Sequence, residues 1–253
     1  MLSAVTTELV HLESRDGIAT LTMHRPAARN ALSLELIRAL GVAVGAAGAD
    51  PALRVLVVAG SGKSFCAGMD LKAVASDPVA MGEMLRELGR VTRTIRRLPV
   101  PTLAKVQGAA IGGGCGLMVV CDFAVTHPES RVGYPEVDLG VCPAVVAPWL
   151  IRRIGAGRAR AMLLSGGTMS GAEGFSAGLA THLVPLEDLD SAVSSLATRL
   201  AGGGPNALAA TKRWLNELDG SNDDAVLDKA AEISAAIIAG DEAQSRLLTL
   251  FAR

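Results

Sequence analysis

Short apolar runs alternate with helical stretches over the first half of the chain, and this alternation strongly restricts the fold. Residues 54–59 and 102–106 are rich in Val, Leu and Ala, and each run lies between a proline and a glycine. Runs of this length and composition are typical of buried strands. Helical patterns at residues 33–48 and 81–98 alternate with them. The order predicts an α/β fold with a mostly parallel sheet and helices packed on its faces.

Further elements extend this pattern. Residues 8–13 and 17–23 predict two strands of a hairpin, because an Asp-Gly pair between them is a turn signal. Residues 121–126 predict another strand, and the glycine-rich segment from Gly112 predicts the start of a helix. The strand–helix alternation therefore continues to residue 126.

The second half of the chain has a different character. From about residue 147 helical patterns dominate, interrupted by glycine-rich breaks at residues 202–205 and 220–222. We therefore predict an α/β core at residues 1–195. A helical C-terminal region at residues 196–253 is expected to take part in oligomer packing.

Composition excludes several classes of protein. Half of the residues are hydrophobic and 19% are charged, which rules out an intrinsically disordered chain. Aromatic residues make up only 3%, so the core must consist mainly of aliphatic side chains. The net charge of -1 offers no basic surface, and we predict no nucleic-acid partner. The cysteines and histidines lack metal-binding spacing, which predicts no metal site.

No segment predicts export or membrane insertion. Residues 1–17 lack the basic and apolar regions of a signal peptide. The most apolar stretch, residues 106–121, contains five glycines and is too short to cross a membrane. We expect a soluble, cytoplasmic protein in a reducing compartment, with no membrane partner.

Two nucleotide-binding motifs are incomplete. Residues 60–64 (Gly-Ser-Gly-Lys-Ser) resemble the end of a phosphate-binding loop, but Val57 stands where the first glycine is required. Within the cluster at residues 112–116, the GxGxxG motif fails because Leu117 replaces its last glycine. A nucleotide-dependent enzyme is therefore disfavoured.

Two glycine-containing segments predict an oxyanion hole. They are residues 64–71 (Ser-Phe-Cys-Ala-Gly-Met-Asp-Leu) and residues 106–116 (Val-Gln-Gly-Ala-Ala-Ile-Gly-Gly-Gly-Cys-Gly). In the first, Gly68 permits a tight backbone path, so that the N–H of Met69 can point into a cavity. In the second, glycines at a helix start leave N–H groups unshielded, where the helix dipole adds positive potential. Two such groups that converge on one oxygen would stabilise an oxyanion.

A third segment, residues 133–140 (Gly-Tyr-Pro-Glu-Val-Asp-Leu-Gly), presents a carboxylate. Pro135 favours an extended Tyr134 and puts Glu136 in a turn beside the sheet. A carboxylate next to an apolar pocket has a raised pKa, which suits proton transfer at carbon. Taken alone, the glycines can serve packing, Glu136 can be a solvated turn residue and Asp70 can cap a loop. The occurrence of all three segments in this order favours the functional interpretation.

The chain resembles the crotonase superfamily of enoyl-CoA hydratases and isomerases over nearly its whole length. The matching segments are residues 24–32 (His-Arg-Pro-Ala-Ala-Arg-Asn-Ala-Leu), 65–70, 112–116, 134–140 and 209–213 (Ala-Ala-Thr-Lys-Arg). The resemblance implies a crotonase-like ββα-type spiral core with a helical C-terminal region. It also implies an acyl-CoA thioester substrate, no separate cofactor because coenzyme A is part of the substrate, and a homotrimer or dimer of trimers.

The resemblance also implies roles for individual residues. The N–H groups of Met69 and Gly113 would form the oxyanion hole, and Glu136 would be the principal acid/base. The backbone segment expected to contact coenzyme A includes Cys66, Ala67, Gly68 and Asp70. The basic side chains that are candidates for its phosphates are Arg25, Arg29, Lys72 and Lys212, and each of them can equally be a surface charge.

Gly116 departs from the family's two-acid hydratases, which carry a second glutamate at this position. One of the two carboxylates that hold the attacking water is therefore missing. A single carboxylate suffices to carry a proton from C2 to C4 of a 3-enoyl thioester, so isomerisation is favoured over hydration of a 2-enoyl-CoA. Some single-glutamate members nevertheless hydrate activated substrates. We further expect the glycine to enlarge the pocket, and the alternative function is a catalytically weak or silent acyl-CoA-binding member.

Overall fold

The computed structural model describes residues 5–74 and 77–251. The strands are β1 (Val5–Thr6), β2 (Val10–Arg15), β3 (Ile18–Met23), β4 (Val55–Gly60), β5 (Thr102–Val106), β6 (Ala110–Ile111), β7 (Phe123–Thr126), β8 (Arg131–Gly133), β9 (Thr168–Ser170) and β10 (His182–Leu183). The α-helices are α1 (Leu34–Gly48), α2 (Leu71–Val74), α3 (Pro78–Arg97), α4 (Gly113–Val120), α5 (Ala147–Ile154), α6 (Ala156–Ser165), α7 (Gly171–Ala177), α8 (Leu189–Ala201), α9 (Pro205–Leu218), α10 (Asp224–Ile238) and α11 (Asp241–Phe251). Short 3-10 helices occupy Pro26–Ala28, Glu136–Leu139 and Leu186–Asp188.

Seven strands form the main sheet, in the order β1-β2-β3-β4-β5-β7-β10. The pairs β1–β2 and β2–β3 are antiparallel, and every neighbouring pair from β3 onward is parallel. The predicted hairpin and the three strands predicted at residues 54–59, 102–106 and 121–126 are therefore confirmed. Strand β4 lies in the middle and is almost completely buried, since helices cover both faces of the sheet.

Helices on the two faces create two separate apolar clusters. On one face α1, α3 and α4 bury their apolar side chains, and the hydroxyl of Ser33 caps α1 by accepting the N–H of Leu36. On the other face α8 packs against β4, β5 and β7 through side chains that include Val193 and Leu196. The predicted boundary between residues 195 and 196 thus falls inside α8, a helix that belongs to the sheet layer.

A second sheet has the order β6-β8-β9 and was not predicted, because its strands contain only two or three residues. Ile111 pairs with Gly133 in parallel register, and the N–H of Gly112 donates to the carbonyl of Gly133 at 2.8 Å. This small sheet fixes the start of α4 beside the turn that carries Glu136.

The C-terminal half is helical from residue 147 as predicted, except for the short strands β9 and β10. Helix α10 packs along α3, and α11 contacts the 3-10 turn of Glu136–Leu139. No helix in the described ranges is long and apolar enough to cross a membrane. The outer limits of the predicted regions, residues 1 and 253, lie outside the described residues, and the predicted role in oligomer packing stays a prediction.

Candidate active site

The loop after β4 is held in place by backbone hydrogen bonds on both sides. The N–H of Cys66 donates to Ala109 at 2.8 Å, and the carbonyl of Cys66 accepts the N–H of Ile111 at 3.0 Å. Further along, Leu32 donates to the carbonyl of Gly68 at 2.8 Å and accepts the N–H of Asp70 at 2.9 Å. These bonds fix residues 66–70 against the segment that leads into α4.

Between these bonds the N–H of Met69 is free. Within the described part of the chain no acceptor receives this group. Gly68 precedes it with φ +98°, and a Cβ at Gly68 would lie 2.9 Å from the carbonyl oxygen of Ile111. Only glycine fits this close, left-handed passage without strain. The sequence prediction of a tight backbone path at Gly68 is therefore confirmed.

The start of α4 supplies a second free N–H. Gly112 precedes the helix with φ +53°, and Gly113 is its first residue. Among the described residues none accepts the N–H of Gly113, as is usual in the first turn of a helix. The helix dipole adds positive potential at this end. The sulfur of Met69 lies 3.6 Å from a Cβ placed on Gly113, so the two backbone segments are adjacent.

Both free N–H groups belong to residues that line one cavity of about 100 Å³. Its walls come from the loop after β4, the start of α4, the Glu136 turn, the segment that precedes α5, and helices α3 and α10. The lining is mainly apolar, with side chains that include Met81, Leu85, Leu88, Val145, Val146 and Ile238. Such a concave, apolar site with few polar groups is typical of a small-molecule pocket.

Glu136 is the carboxylate of this cavity. It opens the 3-10 turn after Pro135, and its Oε1 lies 3.0 Å from a Cβ placed on Gly112. Its Oε2 is buried and has no hydrogen-bond partner among the described residues. Burial, with a smaller contribution from the nearby charge of Asp138, raises the pKa of the carboxyl to about 7. This raised pKa agrees with the prediction from the sequence. The Glu136 side chain can therefore both take up and release a proton near neutral pH.

The segments expected to contact coenzyme A lie at one edge of the cavity. Ala67 and Gly68 line it, while Cys66 is buried behind them. Arg25 forms an ion pair with Asp70 at 3.0 Å. The side chains of Arg29 and Lys72 are exposed at the surface, and Arg29 has a left-handed backbone conformation with φ 53°. The structure thus brings these residues into one region around the loop after β4.

Lys212 is not part of this group. Its ammonium donates to Asp122 at 2.7 Å and to the carbonyl of Val100 at 2.9 Å, and the side chain is buried. It lines a different cavity of about 380 Å³ between α9 and the core. Burial lowers the pKa of Lys212, and the Asp122 charge partly offsets this effect. In this chain the ammonium of Lys212 is therefore already bound to Asp122.

The space beyond Gly116 is filled. A Cβ on this buried glycine would lie 2.5 Å from Cγ1 of Val146 and 3.4 Å from its Cβ. Val146 lines the cavity, whereas Gly116 does not. The expectation that the glycine enlarges the pocket is therefore wrong, because a valine from another segment fills the space.

Several lining residues were not identified from the sequence. Val146 lies in an irregular segment, and Ser234 and Ile238 lie on α10, more than ninety residues after Glu136. No local pattern connects them to the glycine segments. The packing of α10 on α3 would have indicated them, but that contact is formed only in the folded chain.

A GxSxG sequence at residues 174–178 does not form a nucleophile elbow. It runs from α7 into the glycine that ends this helix, instead of joining a strand to a helix. The hydroxyl of Ser176 donates to the carbonyl of Ala172 at 3.0 Å, which is an ordinary bond within a helix. The cavity around Glu136 is therefore the site with the stronger chemical arrangement.

Comparisons with known proteins show which proteins this chain is similar to. The family model of enoyl-CoA hydratase/isomerase matches residues 13–251. A crotonyl-CoA hydratase of Syntrophomonas wolfei is 34% identical over 231 residues, which cover 90% of this chain and 87% of that protein. An enoyl-CoA isomerase/hydratase of Mycosarcoma maydis is 33% identical, with coverage of 78% and 76%. The crystal structure of an enoyl-CoA hydratase from Mycobacterium avium is 31% identical, with a TM-score of 0.86 and coverage of 98% and 97%.

Proposed function

Since the chain belongs to the enoyl-CoA hydratase/isomerase (crotonase) family, we propose that it moves a carbon–carbon double bond of an acyl-CoA thioester. Glu136 removes a proton from C2 of a 3-enoyl thioester, and the electron pair of that C–H bond delocalises into the thioester carbonyl. Glu136 then returns the proton to C4, which gives the conjugated 2-enoyl product. No atom is gained or lost, and no cofactor is needed because coenzyme A is part of the substrate.

The two free N–H groups support the intermediate of this reaction. The enolate oxygen accepts hydrogen bonds from Met69 and Gly113 as negative charge develops on it. Preorganised donors of this kind are each worth roughly 3–4 kcal/mol of barrier in enzymes that use them. The dipole of α4 adds to the effect at its first turn.

The observation that carries the proposal is the isolated carboxyl of Glu136 in the apolar cavity. A pKa of about 7 makes this group an efficient carrier of one proton at neutral pH. Asp70, the nearest carboxylate in the loop after β4, is paired with Arg25. One acid that both removes and returns the proton is sufficient for isomerisation.

Hydration of a 2-enoyl-CoA is the second candidate. It is favoured by the names of relatives, since the proteins of Syntrophomonas wolfei and Mycobacterium avium are called hydratases. In that reaction the Glu136 carboxylate takes one proton from a water as the hydroxyl adds to C3, and it then delivers this proton to C2. A third possibility is a member that binds acyl-CoA without turnover.

The remaining properties of the complex are part of the same proposal. Residues 66–70 hold the pantetheine and adenine ends of coenzyme A, and Arg25, Arg29 and Lys72 supply positive charge for its phosphates. The chain assembles as a homotrimer or dimer of trimers through its C-terminal helices. It acts in the cytoplasm.

The test is incubation with a series of 2-enoyl- and 3-enoyl-CoA thioesters in D2O. Isomerisation gives a conjugated product of unchanged carbon skeleton, seen by ultraviolet absorbance. Deuterium at C4 then measures how often Glu136 exchanges its proton with solvent before it returns it. Hydration adds the mass of one water, which mass spectrometry detects.

Substitution of Glu136 completes this test. The variant Glu136→Gln is expected to lose isomerisation by about 10²-fold or more while thioester binding is kept. Unchanged turnover in this variant would exclude Glu136 as the proton carrier. Binding without turnover by the wild-type protein would favour the silent member.

A further inference from the structure

The wall of the cavity next to α4 is closed by an apolar side chain. Gly116 lies on the first turn of α4, and any side chain there would meet Val146 at once. Val146 both fills this space and lines the cavity that contains Glu136. A polar side chain at this position of α4 therefore requires Val146 to shift.

The other groups of the cavity offer little to a water molecule. Ser234 donates to the carbonyl of Cys142 at 2.9 Å and accepts the N–H of Val145 at 3.3 Å, so its hydroxyl is already occupied. Val141 and Val145 continue the apolar wall beside Val146. An ordered buried water needs two to four polar partners. Among the side chains of the described lining, the Glu136 carboxyl is the polar group left for a water, and its Oε2 has no hydrogen-bond partner.

We infer that Gly116 and Val146 form a pair that determines reaction specificity. Val146 keeps water away from the bound acyl carbons and thereby directs Glu136 to proton transfer within the substrate. Gly116 is required because it is the residue that leaves room for Val146. This inference rests on the proposed function and adds the residues that decide between its two reactions.

The pair is tested by a four-protein cycle of wild type, Gly116→Glu, Val146→Ala and the double variant. Gly116→Glu alone is expected to lower the melting temperature, since the new Cβ and the Val146 methyl cannot both fit. Val146→Ala removes that methyl and leaves Cβ atoms about 3.4 Å apart, an ordinary contact. The double variant is therefore expected to recover much of the stability of the single Glu variant. It should also hydrate 2-enoyl-CoA about 10²-fold faster than either single variant.

A milder variant covers the case in which the glutamate prevents folding. Val146→Thr keeps the size of the side chain and adds one hydroxyl to the wall. We expect the ratio of hydration to isomerisation to rise about tenfold, whereas Val145→Thr on the same wall gives a smaller rise.

The outcomes separate the inference from the proposed function. Isomerisation by the wild type, with no change of ratio in Val146→Thr and no hydration by a folded double variant, overturns the inference alone. A Gly116→Glu protein as stable as the wild type also overturns it, because Val146 would then not fill the space. Absence of isomerisation by the wild type with every 3-enoyl thioester overturns both.

Discussion

At the scale of single residues, the burial of the Glu136 carboxyl links its pKa to the stability of the folded protein. The carboxyl lies in the wall of the cavity, and its burial there raises its pKa to about 7. A group with a raised pKa stabilises the folded protein while it is protonated. Its contribution is present below the ordinary carboxyl pKa of about 4.3 and is lost as the pH rises through about 7.

This linkage predicts how stability changes with pH. Between pH 5 and pH 8 the wild type should lose up to about 3 kcal/mol more unfolding free energy than Glu136→Gln, which has no proton to lose. Urea unfolding of both proteins at several pH values measures the difference. Other titrating groups cancel in this comparison. Parallel pH dependences of the two proteins would show that the Glu136 carboxyl is ionised with an ordinary pKa.

At the scale of elements, the contact between α4 and the loop after β4 sets the distance between the two free N–H groups. A Cβ on Gly114 would lie 2.3 Å from the carbonyl oxygen of Cys66. Gly114→Ala should therefore push α4 away from this loop. We expect a loss of about 1–3 kcal/mol in unfolding free energy and a fall in kcat larger than any change in KM.

A matched glycine in another helix serves as the control for this prediction. Gly45 lies in α1 and a Cβ there meets no atom within 4 Å. Gly45→Ala should raise stability by up to about 1 kcal/mol because alanine favours the helix, and it should leave kcat unchanged. Equal effects of the two substitutions on thermal unfolding would contradict the close contact at Gly114.

The buried ion pair between α9 and the core makes a further prediction. Lys212 is bound to Asp122, so Lys212→Met leaves a carboxylate that has lost its closest cationic partner. We expect a loss of about 3 kcal/mol in unfolding free energy with little change in the KM for the thioester. Lys72→Met, at an exposed site by the loop after β4, is expected to raise KM and keep stability. A large rise in KM for Lys212→Met would instead support its role at coenzyme A.

These elements differ in how far the sequence predicts them. Strand β4 and helix α1 were predicted because composition and capping at Ser33 are local signals. Glu136 and the glycine segments were predicted from short motifs, in which neighbouring residues in the sequence carry the signal. Strands β6 and β8 were missed, because two or three residues hold no periodicity and pair only once the chain has folded. The contact of Val146 with Gly116 was missed for the same reason, since it joins residues with no shared pattern.

At the scale of the whole molecule, the cavity joins residues from the loop after β4 to the end of α10. The C-terminal helices are therefore part of the site as well as candidates for subunit contacts. Ile238 is buried at the last turn of α10 and lines the cavity, whereas Ile233 on the same helix is 41% exposed and does not. The lining of the cavity thus includes a residue 102 positions after Glu136.

This arrangement predicts that Ile238 limits the acyl chain. Ile238→Val removes one methylene with a stability cost of about 1 kcal/mol, and Ile238→Ala removes more at a higher cost. The ratio of kcat/KM for longer over shorter thioesters should rise stepwise through the two variants, by about tenfold per methylene gained in a tight pocket. Ile233→Ala should leave that ratio unchanged, because its side chain does not line the cavity. If the ratio stays constant in both Ile238 variants while thermal unfolding confirms the expected loss of packing, then α10 supports the cavity without limiting the substrate.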